Sequence, residues 1–268
     1  MSISTIMGIA SGFACVVIGI MHSGKLMDFL DPSSVFIVVG GVLCATLASF
    51  SIDRLKRLIK ALRVAFGNQK IDLNKDIDNI ISLANVARRD GLLALENLTD
   101  DMEDPFLQKA IMMVVDGSDP ELLESILETD LAFTKSRHAE NRAILDSMSA
   151  YAPAFGMIGT LIGLINMLKN LSDMSSLGSN MSVALVTTFY GSMLANLVFS
   201  PLSKRLKTLG DEEYLQKELI IEGVRAIQNG ENPRIIQEKL KSFLDKQGAQ
   251  MQEGNRKAPS PEKSAAAK

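Results

Sequence analysis

Two long apolar stretches of this chain, residues 151–168 (YAPAFGMIGTLIGLINML) and 181–202 (MSVALVTTFYGSMLANLVFSPL), carry glycines, prolines and threonines but no Asp, Glu, Lys, Arg or His. A helix needs about 20 apolar residues to cross a bilayer, and both stretches are close to that length. Polar atoms at that depth must be satisfied by protein or by a water-filled cavity. The pair therefore reads as a membrane path for a small cation, with the titrating acid supplied by another chain.

Two further uncharged stretches, 3–21 and 33–50, bring the expected spans to four. The first has no Lys or Arg before it and no clear cleavage site after it, so it reads as a span rather than a signal peptide. Basic residues set the orientation. Arg54, Lys56, Arg57, Lys60 and Arg63 follow the second span, and Lys204, Arg205 and Lys207 follow the fourth, whereas each outer connector holds a single Lys. The positive-inside rule then places both chain ends and the long middle segment in the cytoplasm.

The net charge of −3 is too small to suggest nucleic acid as a partner, and the basic residues gather at the membrane edges. Cys15 and Cys44 fall inside spans and read as small buried apolar groups. No disulfide framework, metal set or cofactor is expected.

The expected fold is all-α: a polytopic membrane protein with four transmembrane helices and a helical cytoplasmic domain. Residues 1–50 form the first transmembrane pair, 51–149 a cytoplasmic helical domain, 150–203 the second pair, 204–247 C-terminal cytoplasmic helices, and 248–268 a disordered, polar tail. Within the cytoplasmic part, apolar spacing predicts helices over 51–66 (Leu55, Leu58, Ile59 and Leu62 on one face) and 73–89 (Ile77, Ile80, Ile81, Ala84, Ala87). Gly67-Asn68 ends the first of these. Asp104-Pro105 reads as an N-cap with proline at the first helical position. Ser118 with Glu121 matches a capping box opening a helix that runs into span three. Leu215, Leu219, Ile220, Val224 and Ile227 mark a helix over 211–228, and Pro233 opens a shorter one through Leu244.

Several residues carry possible chemistry, each beside a plainer structural reading. Span three contains Gly156, Gly159 and Gly163, and the last two, like Gly191 and Ala195 in span four, have the small-residue spacing that lets helices approach closely in lipid, which is ordinary packing. Gly8 and Gly12 repeat it in span one. Pro153 and Pro201 free the carbonyls of Ser149 and Leu197 and act either as hinges at the inner mouth of a pathway or as tolerated kinks. Thr160, Thr187 and Thr188 either bond back to the carbonyls of Gly156, Val183 and Ala184 or help to desolvate a hard cation with oxygen ligands. Driven ion paths need an ionisable group within the membrane, and these spans contain none. Arg88, Arg89, Asp90 and Glu96 flank Gly91, followed by an acidic run at Asp100, Asp101, Glu103 and Asp104. On charge pattern alone that is a solvated edge.

The stretches ARRDGLLALE (87–96), 151–168, VALVTTFYGSMLANLVFSPL (183–202) and EGVRAIQNGENPRIIQEKL (222–240) strongly resemble the A subunit of the flagellar motor stator, the MotA/PomA family. The resemblance runs from span one to about Leu244. It implies a non-enzymatic motor part of the bacterial inner membrane, in which a homopentamer of A subunits rings two copies of a MotB/PomB-like B subunit whose span carries an ion-binding Asp. Inward cation flow would turn the ring and drive the rotor protein FliG. Under the resemblance Arg88 and Glu96 match rotor-facing positions, with Arg89 a neighbouring basic one. Pro153 and Pro201 match prolines at the cytoplasmic span ends. Thr160 with Thr187-Thr188 resembles the sodium-driven branch, favouring Na⁺ over H⁺ as the transported ion. Asn97 departs from an acid found in some sodium-type members. ExbB/TolQ-like energisers share the ring logic but typically have three spans, and a small solute transporter would carry more spans and more intramembrane polar groups.

Overall fold

The computed structural model describes residues 2–66, 71–100, 102–169 and 174–256. Among them there is no strand. Eleven α-helices follow in order: α1 (Ser2–Ser23), α2 (Pro32–Val35), α3 (Gly41–Ser49), α4 (Ile52–Phe66), α5 (Leu73–Asp90), α6 (Glu96–Thr99), α7 (Pro105–Val115), α8 (Pro120–Lys169), α9 (Met174–Met193), α10 (Ser200–Gln228) and α11 (Pro233–Arg256). Short 3₁₀ turns occupy Leu26–Phe29 and Leu92–Leu95, and π segments fill Phe36–Gly40 and Leu194–Phe199. The all-α fold expected from the sequence is present. Four helical segments are long and apolar enough to cross a membrane: Thr5–Ser23, Leu26–Ser49, and parts of Pro120–Lys169 and Leu177–Gln228.

The chain forms two compact units, one of residues 1–69 and 136–210, the other of 70–135 and 211–268. The first holds the four spans. Its interior is thin. Leu58, Ile144, Leu145, Leu202 and Leu206 make one buried cluster, and Val42, Ala152 and Ala195 another. Only 6% of the first apolar window is buried within the chain, so nearly all of that helix is left for lipid or other subunits. The second window is 22% buried, and Cys15 in the first span and Cys44 in the second are both exposed. The expectation that they are buried does not hold for this chain, because they lie on span faces that nothing in it covers. On α4, Leu58 is buried as its spacing predicts, whereas Ile59 remains 55% exposed because it points away from the cluster.

The second unit has the conventional core. Leu73, Ile77, Ile80, Leu83 and Ala84 of α5 pack with Phe106, Leu107, Ala110, Ile111 and Val114 of α7. The same cluster takes in Leu215, Leu219, Ile220, Val224 and Ile227 of α10, which recur at helical spacing. Burial of each such side chain is worth about 1.5–3 kcal/mol. Caps set the helix boundaries. Asp72 accepts from the amides of Asn74 and Lys75, and Asp104 from that of Phe106 at 2.8 Å, with Pro105 in the first turn.

The start of α8 corrects the sequence reading. Its cap is Asp119, whose Oδ1 accepts from the Glu121 amide at 3.0 Å, and not Ser118. Ser118 instead closes α7: its amide donates to the Met113 carbonyl while Gly117, at φ +72°, donates to Val114. That is the left-handed helix ending glycine permits. Two further expectations shift. Residues 211–228 are not a separate helix but the end of α10, which begins at Ser200. The backbone of α11 stays helical to Arg256, so part of the tail expected to be disordered continues the helix. Ala249, Gln250, Met251 and Gln252 are good helix formers, and extending an existing helix avoids the cost of nucleation. Gly67-Asn68, Asp101 and residues 257–268 lie outside the described residues.

Asp76 is half-buried in the second unit and accepts a 2.8 Å hydrogen bond from Gln216 Nε2. Burial pushes its carboxyl above the ordinary value of 3.8, with the Gln216 bond opposing. A raised folded-state value means the folded chain holds this proton more tightly than the unfolded one. The Asp76 contribution to stability therefore falls as pH rises above 3.8 and through the raised folded value. Asp76→Asn keeps an acceptor for Gln216 and should raise the melting temperature at pH 7 by about 1–3 °C. The gain should shrink near pH 4, as followed by the helical circular-dichroism signal. An equal effect at both pH values would refute this account.

Candidate functional site

Two separate regions gather the residues singled out by sequence, one between spans three and four and one on the second unit. In the spans, glycine sets the geometry. A Cβ on Gly159 would lie 2.4 Å from Thr187 Cγ2, one on Gly163 would lie 2.7 Å from the Asn180 carbonyl oxygen, and one on Gly191 would lie 2.5 Å from that of Ala152. A Cβ on Gly156 would lie 3.1 Å from the Thr187 carbonyl oxygen and 3.2 Å from Thr188 Cα. Helices α8 and α9 therefore meet backbone to backbone, the close approach that small residues permit in lipid. The packing role considered for these glycines is the one they occupy.

That approach brings the three threonines together. Thr160 Oγ1 and Thr188 Oγ1 are hydrogen-bonded at 2.5 Å. Each threonine lies within reach of a carbonyl of its own helix: Thr160 to Gly156 at 3.1 Å, Thr187 to Val183 at 2.9 Å, and Thr188 to Ala184 at 3.3 Å. All three hydroxyls also converge on one oxygen, the Ala184 carbonyl, which lies 3.1 Å from Thr160 and 3.0 Å from Thr187. Each hydroxyl has one hydrogen and two lone pairs, so the cluster holds more acceptor capacity than hydrogens to fill it. Thr187 is fully buried against Gly159, Thr160 is half-buried, and Thr188 is exposed on the surface of the helix pair. The cluster thus opens outward at Thr188.

The prolines lie toward the other end of the same spans. Pro153 sits inside α8, its Cα 3.2 Å from where a Gly191 Cβ would be. Pro201 stands two residues past the π segment Leu194–Phe199, whose C-cap residue Ser200 donates its amide to the Ala195 carbonyl. Proline lacks an amide and clashes with the carbonyl four residues before it. A wide turn just upstream is a usual accommodation. Ser149 Oγ donates to that same Ala195 carbonyl at 3.3 Å, bridging the two spans.

Sequence reasoning missed several polar links. Ser203 Oγ donates to Asp146 Oδ1 at 2.5 Å, and Arg142 Nε stands 3.7 Å from Asp146 Oδ2. Ser49 Oγ and Tyr151 Oη are hydrogen-bonded at 2.9 Å, and Tyr190 Oη donates to the Phe29 carbonyl. Only Asp146 had a sequence signal, since it stands seven residues, two helical turns, before Pro153 on one stripe of α8.

On the second unit, α5 ends at Asp90, and Gly91, at φ +86°, breaks the chain direction before Glu96. Arg88, Arg89 and Glu96 are all exposed. The two arginines differ. Arg89 holds Asp90 through both Nε and Nη2, at 3.0 and 2.8 Å. This hydrogen-bonded pair holds the Asp90 carboxyl below its usual range and raises the Arg89 guanidinium. Arg88 has no ion pair among the described residues. Of the two arginines it is the one that holds no carboxylate among the described residues.

The comparisons with known proteins agree with this architecture. Residues 98–219 match the MotA/TolQ/ExbB proton channel family, and residues 6–91 match the motility protein A N-terminal family. PomA of Vibrio alginolyticus is 38% identical over 245 residues, covering 91% of this chain and 96% of that protein. Motility protein A of Borreliella burgdorferi is 40% identical over 245 residues, with 91% and 94% covered. The structure of C. jejuni MotAB superposes with a TM-score of 0.85 at 31% identity, over 91% of this chain and 96% of that one. Fold and matches together define a four-span membrane protein of the ion-channel class rather than an enzyme. Within that class the chain belongs to the MotA/PomA family, the A subunits of the flagellar motor stator.

Filling the glycine contact tests this packing. Gly159→Val places a branched side chain where Thr187 sits and should cost about 1–3 kcal/mol, lowering the melting temperature of the purified membrane complex. Gly178→Val, where a Cβ meets nothing within 4 Å, should leave it unchanged. Equal behaviour of the two variants would show that the approach of α8 to α9 does not need glycine.

Proposed function

We propose that this stator subunit conducts a cation, Na⁺ in preference to H⁺, along a path lined on its side by Thr160, Thr187 and Thr188, with Pro153 and Pro201 at the inner mouth. The titrating carboxylate comes from the single span of a MotB/PomB-like partner. The observation that carries the reading is the oxygen cluster around the Ala184 carbonyl, open at Thr188, on spans that contain no ionisable group of their own. Uncharged oxygens can replace part of an ion's hydration shell but cannot themselves take up or release a proton at physiological pH. An acid must therefore come from outside the chain. The solved relatives described as MotAB support such a partner.

The assembly is a homopentamer around two B subunits in the bacterial inner membrane, with both termini of this chain cytoplasmic. Ion passage turns the ring, and Arg88, with Arg89 and Glu96, engages the rotor protein FliG. Magnitudes suit this. One elementary charge crossing 100 mV releases about 2.3 kcal/mol, while an exposed ion pair is worth about 0.2–1 kcal/mol. A single ion's passage can make and break a few such contacts, which a large apolar interface would not allow.

In cells relying on this chain and its partner, swimming speed at fixed membrane potential should rise with external sodium. Speed independent of sodium would assign the path to protons. Arg88→Glu should weaken swimming while leaving the membrane complex intact, and normal swimming at both low and high ionic strength would remove Arg88 from the rotor contact.

A further inference from the structure

A cavity of about 350 Å³ lies between α1 and the start of α10, away from the threonine cluster. Its shape follows from where the two helices touch. A Cβ on Gly12 would stand 3.0 Å from Leu197 Cδ2, so the helices meet there. One turn nearer the chain's N-terminus, a Cβ on Gly8 would meet nothing within 4 Å. The helices therefore part, leaving a groove floored by Gly8, Ile9 and Leu197 and rimmed by Lys204, Arg205 and the hydroxyl-bearing Thr5 and Thr208.

The rim is built for an anion. Lys204 and Arg205 have no ion pair among the described residues, and Arg205 Nε is buried without a hydrogen-bond partner. A buried donor left unmatched in this way is costly, so a group that offers the side chain an acceptor is favoured. Thr208 spends its hydroxyl hydrogen on the Lys204 carbonyl at 3.2 Å, which keeps that residue oriented along the same face. A free phosphate would satisfy the rim but leave the apolar floor empty. An acyl chain fits that floor, and a phosphate head on the same molecule reaches the two cations.

We infer that this groove holds an anionic phospholipid, its phosphate on Lys204 and Arg205 and an acyl chain along Gly8, Ile9 and Leu197. The charge and the apolar wall together select a lipid of net negative charge over a zwitterionic one. Pro201, assigned above to the inner mouth of the ion path, also lines the groove, but lipid retention and thermal shift are read without ion flow or rotor engagement, so the lipid measurement succeeds or fails independently of them.

The test uses the membrane complex purified in detergent. Added phosphatidylglycerol should raise its melting temperature by about 2–4 °C, and native mass spectrometry should show the lipid retained. Phosphatidylcholine and inorganic phosphate should do neither. The pair Lys204→Gln and Arg205→Gln should abolish the shift, and Gly8→Leu, which fills open space, should also abolish it. Lys56→Gln with Lys60→Gln, an equal loss of charge on α4, should keep it. The inference is overturned if phosphatidylcholine protects equally, if phosphate alone reproduces the shift, if the α4 pair removes it as well, or if no lipid gives a shift because a neighbouring subunit fills the groove.

Discussion

The membrane unit depends on the backbone contact between α8 and α9. Gly156, Gly159, Gly163 and Gly191 have no side chains, and the threonine hydroxyls, the Ala184 carbonyl and the outward-facing Thr188 can meet only because of that. In lipid there is no water to expel from between helices, so association must come from close packing and hydrogen bonds. One set of residues serves both: the glycines bring the backbones together, and the threonines they admit bond across the gap. A methyl group at Gly159 would separate the two helices and scatter the oxygens as well.

The two units solve opposite problems. The second buries leucines and isoleucines from α5, α7, α10 and α11 in a core like that of a water-soluble helical domain. The membrane unit keeps a meagre interior and leaves most of its first span uncovered. A chain with so much unclaimed apolar surface relies on lipid and on other subunits to complete it. The exposed cysteines, Ile59 and the groove beside Gly8 belong to that unfinished exterior. The polar tethers at the span ends, Asp146 to Ser203 and Tyr190 to Phe29, supply direction to helices whose sides carry little.

Much of this was legible in the residues. The absence of charge located the spans, the 3.6-residue spacing of Leu215 through Ile227 identified a core face, and Asp104-Pro105 marked a helix start that the structure keeps. The misses have physical causes. Ser118 and Asp119 are both good caps. Only the left-handed Gly117 beside them shows that Ser118 is consumed in ending the preceding helix. Burial of Cys15 and Cys44 was inferred from hydrophobicity, but in a membrane an apolar residue need not face inward. The helical form of the residues before Arg256 was hidden by their polarity, which governs packing more than backbone conformation. Arg88 and Arg89 look equivalent as letters, and the clasp on Asp90 that distinguishes them requires coordinates. The convergence of the three threonines on the Ala184 carbonyl appears only in coordinates, and the groove at Lys204 had no signature beyond a few basic letters at a membrane edge.

The π segment ahead of Pro201 has a consequence for how the fourth span presents its faces. A wide turn accommodates one residue more than a regular turn, so everything downstream is rotated by roughly 100° relative to an unbroken helix. In a regular helix Thr188 and Lys204, sixteen residues apart, would lie about 160° apart around the axis, and the offset changes that angle by roughly 100°. Excising a single residue between Leu194 and Phe199 would erase the phase slip and turn the surface that carries Lys204 relative to the one that carries Thr188.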